Sequence, residues 1–291
     1  MRRRDFLLGS AACIPFAGIA RPQDAARRAK LDRVSVMSND FDAIMTEVRD
    51  WSHAAAPKQL DIMDYPEMLA DRYHIHNVDV LNINFLSMEP SYYRKFSGRL
   101  KAAKSKMVNM PVELDEKGYA GIVSTCSPDP ALRAKAVDLT KKWIDIASMI
   151  ECPSIMVNQG TRALPEDLAP CIDALKTLKA YGKSKKVAIV MENRGRTPPE
   201  KLAQLIRASG IYVNPDIGNF PDEDTRARGL RLLYPLSYNV SHVKMSPRFD
   251  FANAIRISKE MGFKGVYSIE AGGADPYAKV QTVLDALLAN M

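Results

Sequence analysis

Residues 187–220 read VAIVMENRGRTPPEKLAQLIRASGIYVNPDIGNF. The stretch opens on a short apolar run that turns polar only at its end, Glu192-Asn193-Arg194, as expected of a strand covered on both faces. TPPEKLAQLIRAS follows, with prolines at a helix start, where the missing N–H costs nothing. Then IYVNPDIGNF supplies a second apolar run with the same polar ending. Strand, helix and strand in this order make one βαβ unit with parallel strands.

The same rhythm extends outward in both directions. On the N-terminal side lie the strands RVSVMSND, NVDVLNINF, MVNMPVE and SIMVNQG. They alternate with helices through YPEMLADRYH, from Tyr92 to Lys106, through DPALRAKAVDLTKKWIDIASMI, and from Pro165 to Tyr181. On the C-terminal side a helix from about Asp224 to Leu233 leads to VSHVKMS. FANAIRISKEMG, with Gly262 as its C-cap, precedes GVYSIEAGG, and DPYAKVQTVLDALLANM closes the chain. Eight strand-then-helix units in about 260 residues predict an α/β fold, a (β/α)8 TIM barrel. The rival, a doubly wound open sheet, lacks support because no GxGxxG turn follows any strand.

The opening MRRRDFLLGSAACIPFAGIARPQ has signal-peptide anatomy, with a basic start, a short apolar run and Gly18-Ile19-Ala20 as the cleavage site. The order Arg3-Arg4-Asp5-Phe6-Leu7 is similar to a twin-arginine (Tat) signal, an address for export to the periplasm. Residues 1–30 are accordingly assigned to signal and linker, and 31–291 to a single barrel domain. The net charge is +7, and the three arginines and one aspartate that precede cleavage after Ala20 account for two of those charges. The remainder fits an ordinary solvated surface rather than a nucleic-acid partner. No later segment is apolar and long enough to stay in a membrane. Cys13 falls in the signal; Cys126, Cys152 and Cys171 have no CxxC spacing and read as small buried hydrophobes.

Barrels of this kind carry function at the C-terminal ends of their strands. Strand five ends in Glu192, strand six in Asp216, strand seven in His242 and strand eight in Glu270, each among apolar neighbours. Alone, each has a structural explanation, a helix cap or turn for a carboxylate and a satisfied core position for the histidine. Together, four such groups at one barrel mouth would repel or go unsatisfied without a cation between them. Three carboxylates and one imidazole suit Mn2+, Mg2+ or Co2+, and Zn2+ as well. Asn39, Asn82, Asn84, Asn158 and Gln159 end the earlier strands and could line a polyol pocket or cap loops. Trp51 could stack on a sugar or pack. His74 and His76 precede strand two, so they fall at the opposite face.

The pattern Glu192, Asp216, His242, Glu270 resembles the sugar phosphate isomerase/epimerase superfamily, the xylose isomerase-like TIM barrels, over essentially 31–291. The resemblance implies that these four residues hold one divalent ion. It also implies that Glu192 and Glu270 are the proton-transferring pair, and that Arg248 helps hold substrate oxygens. Asn219 stands where many relatives have histidine, which leaves the substrate open. Lys244, two residues after His242, either pairs with a carboxylate or neutralises an enediolate. The reaction implied is isomerisation or epimerisation of a small-molecule sugar or keto-sugar, stabilised as an enediolate. The rival within enzymes is a metal-dependent lyase or dehydratase acting on a 3-keto-glycoside. A non-enzymatic periplasmic sugar-binding protein fits less well, because binding alone does not require two opposed glutamates. A DNA-repair endonuclease would need a histidine-rich metal cluster, and of four histidines only His242 sits at a strand end of the functional face. A homo-oligomer is compatible with the sequence.

Overall fold

A computed structural model describes residues 22–45, 59–115, 121–160 and 163–291. The signal-like opening, Cys13 and Trp51 lie outside the described residues. Eight strands form one sheet in the order β6-β5-β4-β3-β2-β1-β8-β7, every pair parallel. In chain order they are β1 (Val34–Met37), β2 (Asn77–Asp79), β3 (Lys106–Pro111) and β4 (Ser154–Val157), then β5 (Ala188–Glu192), β6 (Tyr212–Asn214), β7 (Val240–Val243) and β8 (Val266–Ile269). Around them lie α2 (Tyr65–Tyr73), α3 (Pro90–Ala102), α4 (Pro130–Met149) and α5 (Ala169–Lys185), followed by α6 (Pro199–Ser209), α7 (Glu223–Leu233), α8 (Phe251–Glu260) and α9 (Pro276–Asn290). The result is the (β/α)8 barrel that the alternating pattern predicts. Helix α1 (Pro22–Leu31) precedes the first strand and is tied to α9 by Lys30, whose ammonium donates to the Leu288 carbonyl at 2.6 Å.

The last seam, between β6 and β7, closes differently from the others. Pro215 has no N–H, so the ladder cannot continue past Asn214. Side chains take over: the His242 N–H donates to Asn214 Oδ1 at 3.0 Å, and Ser241 Oγ donates to the Pro215 carbonyl at 2.6 Å. Beyond the proline the backbones meet again where Ile217 N–H donates to the His242 carbonyl at 3.2 Å. Asp216 and His242 are thereby paired across the seam.

The helix boundaries follow local chemistry. Asp129, Asp222, Asp250 and Asp275 cap α4, α7, α8 and α9 through side-chain acceptance of the orphan N–H groups. One predicted end is too long. Helix α3 starts at Pro90 and stops at Ala102, not Lys106, because Lys104 turns into the left-handed region at φ 52°. Lys106 then begins β3, its N–H donating to the His76 carbonyl at 2.9 Å. Helix α5 is likewise displaced, running to Lys185 with Lys186 at φ 61°. Cys126, Cys152 and Cys171 are free and buried, as expected.

Unusually for a barrel interior, polar groups run below the C-terminal mouth. Buried Asp79 of β2 accepts from Ser268 Oγ of β8 at 2.8 Å and from Asn109 Nδ2 of β3 at 3.3 Å. Asn109 Oδ1 in turn accepts from Ser154 Oγ of β4 at 3.0 Å. This network gives the residues above it a fixed floor, since buried polar groups hold position only when satisfied.

Candidate functional site

Glu192 is the last residue of β5, His242 lies within β7, and Asp216 and Glu270 follow β6 and β8 by one or two residues. Each can offer one ligand atom such that all four atoms lie within 4.8 Å of one another. Three of the four are buried and Glu270 is half-buried. Asn193 fixes the spacing of the first two. Its Oδ1 accepts the Asp216 N–H at 2.8 Å and its Nδ2 donates to the Asp216 carbonyl at 3.0 Å. Asp216 Oδ1 accepts the Gly218 N–H at 2.7 Å, which turns Oδ2 toward the cluster.

Both nitrogens of His242 face carboxylates. Nε2 lies 3.2 Å from Asp79 Oδ2, below the cluster, and Nδ1 lies 2.8 Å from Glu192 Oε1. Burial opposes a charged imidazole here, but the two carboxylate hydrogen bonds outweigh it and hold His242 well above its ordinary pKa. Burial would also raise Glu192, yet Arg194 and His242 bring it down to about 2. Arg194 Nε sits 3.2 Å from Glu192 Oε2, and its Nη2 lies 3.9 Å from Glu113. Asp216 is pushed up to about 7 by burial, with Lys244 pulling the other way.

The Lys244 ammonium lies 2.8 Å from Asp216 Oδ2 and 2.6 Å from Glu270 Oε2. Burial works against its charge, but Asp216, Glu270 and Glu192 hold it protonated far into the alkaline range. Apart from this pairing with Lys244, Asp216 Oδ2 and Glu270 Oε2 have no partner. Three carboxylates and an imidazole gathered this closely suit a divalent cation, whose place at two of the oxygens the Lys244 ammonium takes here. Glu192, Asp216, His242 through Nδ1, and Glu270 therefore fit a divalent ion, with Asp79 on Nε2 orienting the ring. The donor set, three oxygens and one nitrogen, does not choose among Mn2+, Mg2+, Co2+ and Zn2+.

The other predicted residues divide. Asn158 points inward, its Nδ2 donating to both Glu113 carboxylate oxygens at 3.2 and 3.3 Å. Asn219 stands at the rim and its backbone carbonyl accepts from Asn193 Nδ2 at 3.3 Å. Arg248 is exposed, and its guanidinium donates to the Pro221 carbonyl at 2.5 Å. Asn82 and Asn84 serve the loops: Asn82 exchanges two hydrogen bonds with the Glu113 backbone, and Asn84 pairs with Ser38 and Asp42. His74 and His76 precede β2 as expected, His76 Nδ1 meeting the Ala103 carbonyl at 3.1 Å.

Four groups escaped the reading of strand ends. Asp79 is the last residue of β2, inside the longer apolar run that the sequence suggests, where an aspartate was the available signal. Arg194 and Glu113 lie just past the ends of β5 and β3, and Asp40 lies past β1. Asp40 Oδ1 accepts the N–H groups of Ala271 and Gly272 at 2.8 and 3.2 Å, holding the loop that carries Glu270. Its Oδ2 has no hydrogen bond, and burial, with Glu270 adding to it, raises Asp40 well above its ordinary pKa. Glu113 is pushed up to about 7 by burial, against Arg194 and the Asn158 hydrogen bond.

A family model described as xylose isomerase-like TIM barrel matches residues 70–288. Among solved structures, an L-ribulose 3-epimerase superposes with a TM-score of 0.67 at 12% identity, covering 88% of this chain and 94% of that one. A xylose isomerase-like TIM barrel protein from Mycobacterium smegmatis in complex with magnesium gives 0.62 at 14% identity, with 89% and 97% covered. The 3-keto-D-glucoside 4-epimerase of E. coli gives 0.64 at 12% identity, with 84% and 100% covered. The superpositions show a shared fold, and at these identities the fold alone. No curated protein sequence matches the chain.

Proposed function

This chain belongs to the xylose isomerase-like TIM barrel family, and from that premise we propose that it is a divalent-metal-dependent epimerase or isomerase of a keto-sugar. The observation that carries the reading is the convergence of Glu192, Asp216, His242 and Glu270 at one barrel mouth. Structural neighbours that are sugar epimerases support the same class.

A divalent ion in the quartet would act as a Lewis acid on the carbonyl and adjacent hydroxyl of the sugar. Glu192 ends β5 and Glu270 follows β8, strands that β6 and β7 separate around the barrel. Their carboxylates can thus address one carbon from opposite sides. One accepts its proton and the other returns a proton from the far face, inverting the centre. Arg194 keeps Glu192 ionised and so able to act as the base. Lys244 balances part of the charge that accumulates between Asp216 and Glu270.

The test is NMR of the Mn2+-supplemented protein with a 3-keto-glucoside in D2O. Solvent deuterium retained in an intact, epimerised sugar is the expected result. Release of the aglycone would replace the epimerase reading with a lyase. Glu192→Gln and Glu270→Gln should each lower turnover by about 10²-fold or more; unchanged turnover in both variants would remove the proton-transfer assignment.

A further inference from the structure

We infer that Arg194 is a substrate-binding residue, one that donates hydrogen bonds to hydroxyl oxygens of an uncharged sugar held at the quartet. The inference rests on the proposed keto-sugar reading for the identity of that ligand. Arg194 follows Glu192, the last residue of β5, by two positions, so the strand that delivers the quartet's first carboxylate also delivers this guanidinium.

The guanidinium is held between two carboxylates. Its Nε lies 3.2 Å from Glu192 Oε2, and its Nη2 lies 3.9 Å from Glu113 Oε1. Glu113 is itself fixed in place. Asn82 exchanges hydrogen bonds of 2.9 and 2.8 Å with its backbone, and Asn158 Nδ2 donates to both of its carboxylate oxygens. Glu192 above all, then Glu113, Glu270 and Asp216, hold the charge of Arg194 against the cost of burial. The cation therefore stands within the field of the whole cluster.

Most of its donors are nevertheless free. A guanidinium carries five N–H groups, four of them on the two terminal nitrogens. The contact with Glu192 uses Nε, and 3.9 Å is too far for a hydrogen bond from Nη2 to Glu113. No described residue accepts a hydrogen bond from either terminal nitrogen. These donors are also within reach of a ligand. The Arg194 side chain is 39% exposed, against 8% for the Glu192 side chain beside it. A cation pinned from two sides, with its terminal donors open at the mouth, is pre-organised to bind.

Charge decides what kind of oxygen it meets. Glu192, Asp216, Glu270 and Glu113 stand against Arg194, Lys244 and the divalent ion that the quartet fits, so negative and positive charges match. A phosphate would add charge that nothing in this set compensates. Hydroxyl oxygens accept from N–H groups and add none. The planar fork of an arginine can serve two of them at once.

Calorimetry of the Mn2+-saturated protein with D-fructose, with methyl 3-keto-β-D-glucoside and with the single-deoxy analogues of each tests the contact. Arg194→Met should weaken the better-bound parent sugar at least about tenfold, roughly 1.4 kcal/mol. Arg194→Lys should recover part of that loss. One deoxy analogue should bind the wild type more weakly than its parent does, yet bind Arg194→Met as well as its parent. An arginine that acts only through Glu192 would leave every analogue-to-parent ratio as it is in the wild type, and that result overturns the inference. Glu113→Gln should weaken the parent sugar less than Arg194→Met does and leave Mn2+ affinity in place. A greater loss from Glu113→Gln would give the contact to Glu113 instead. Tighter binding of D-fructose 6-phosphate than of D-fructose overturns the choice of an uncharged ligand. Absence of binding by both parent sugars overturns the keto-sugar reading, and this inference with it.

Discussion

Asp79 Oδ2 and His242 Nε2 lie 3.2 Å apart, joining the second strand to the seventh through the barrel interior. With Ser268 bonded to the same oxygen, Asp79 holds the imidazole so that Nδ1 faces Glu192. Carboxylates that orient a metal-binding histidine in this way typically account for about 10–100-fold in metal affinity. Asp79→Asn should weaken Mn2+ binding within that range, measured by titration calorimetry, without loss of the barrel's circular dichroism. Unchanged affinity would place the orientation of His242 elsewhere.

Gly218 and Lys244 are linked by space. A Cβ on Gly218 would fall 2.4 Å from Lys244 Cγ, so the lysine reaches Asp216 and Glu270 across a residue that has no side chain. Gly218→Ala should push the lysine off the two carboxylates and reduce kcat in the same direction as Lys244→Met. The double variant should be no worse than the poorer single one, the non-additivity of residues that act as a unit. Fully additive losses in a double-mutant cycle would separate their roles.

Lys244 competes with any divalent cation for the same oxygens. Removing a unit charge at this distance matters even at a high effective dielectric constant. Lys244→Met should therefore tighten Mn2+ binding, by about tenfold, while slowing turnover. Weaker metal binding in that variant would mean that the ammonium supports the ion rather than opposing it.

Burial would raise Glu192, and Arg194 is the largest of the groups that bring it down to about 2. Without the guanidinium the carboxylate holds its proton to higher pH. Arg194→Met should consequently move the acid limb of the kcat/KM profile upward, while the conservative Arg194→Lys moves it less. An unmoved limb would detach Arg194 from the base.

Asp42 gives a stability prediction away from the quartet. Burial raises its carboxyl from 3.8 to about 7, with the hydrogen bond from Asn84 opposing. Because the folded pKa is the higher one, the folded state binds the proton more tightly. The associated stability is full below about pH 3.8 and is lost as pH rises through about 7. Relative to Asp42→Asn, the wild-type melting temperature should fall steadily between these limits. A constant difference across the window would refute the assignment.

The eight-unit barrel was legible in the chain because buried parallel strands are apolar runs and their helices announce themselves with Pro and Asp at the start. The quartet was legible for a related reason. A strand's last residue is fixed by the strand, so Glu192, Asp216, His242 and Glu270 could be placed at one mouth from order alone. Helix ends such as Ala102 were not, since a left-handed lysine at position 104 has no residue signature of the kind glycine provides.

What only the tertiary structure decided is who meets whom across the barrel. Asp79 looked like one polar residue in a strand until the closed sheet set it against His242, far away in sequence. Arg194 and Lys244 follow the same rule, their partners being chosen by the directions of side chains in a shared interior. The sequence by itself determined the strand order and the donor types, because these depend on local pattern. The pairing of charges, Lys244 with Asp216 and Glu270 among them, comes from closure of the barrel, which brings together groups that no local pattern relates.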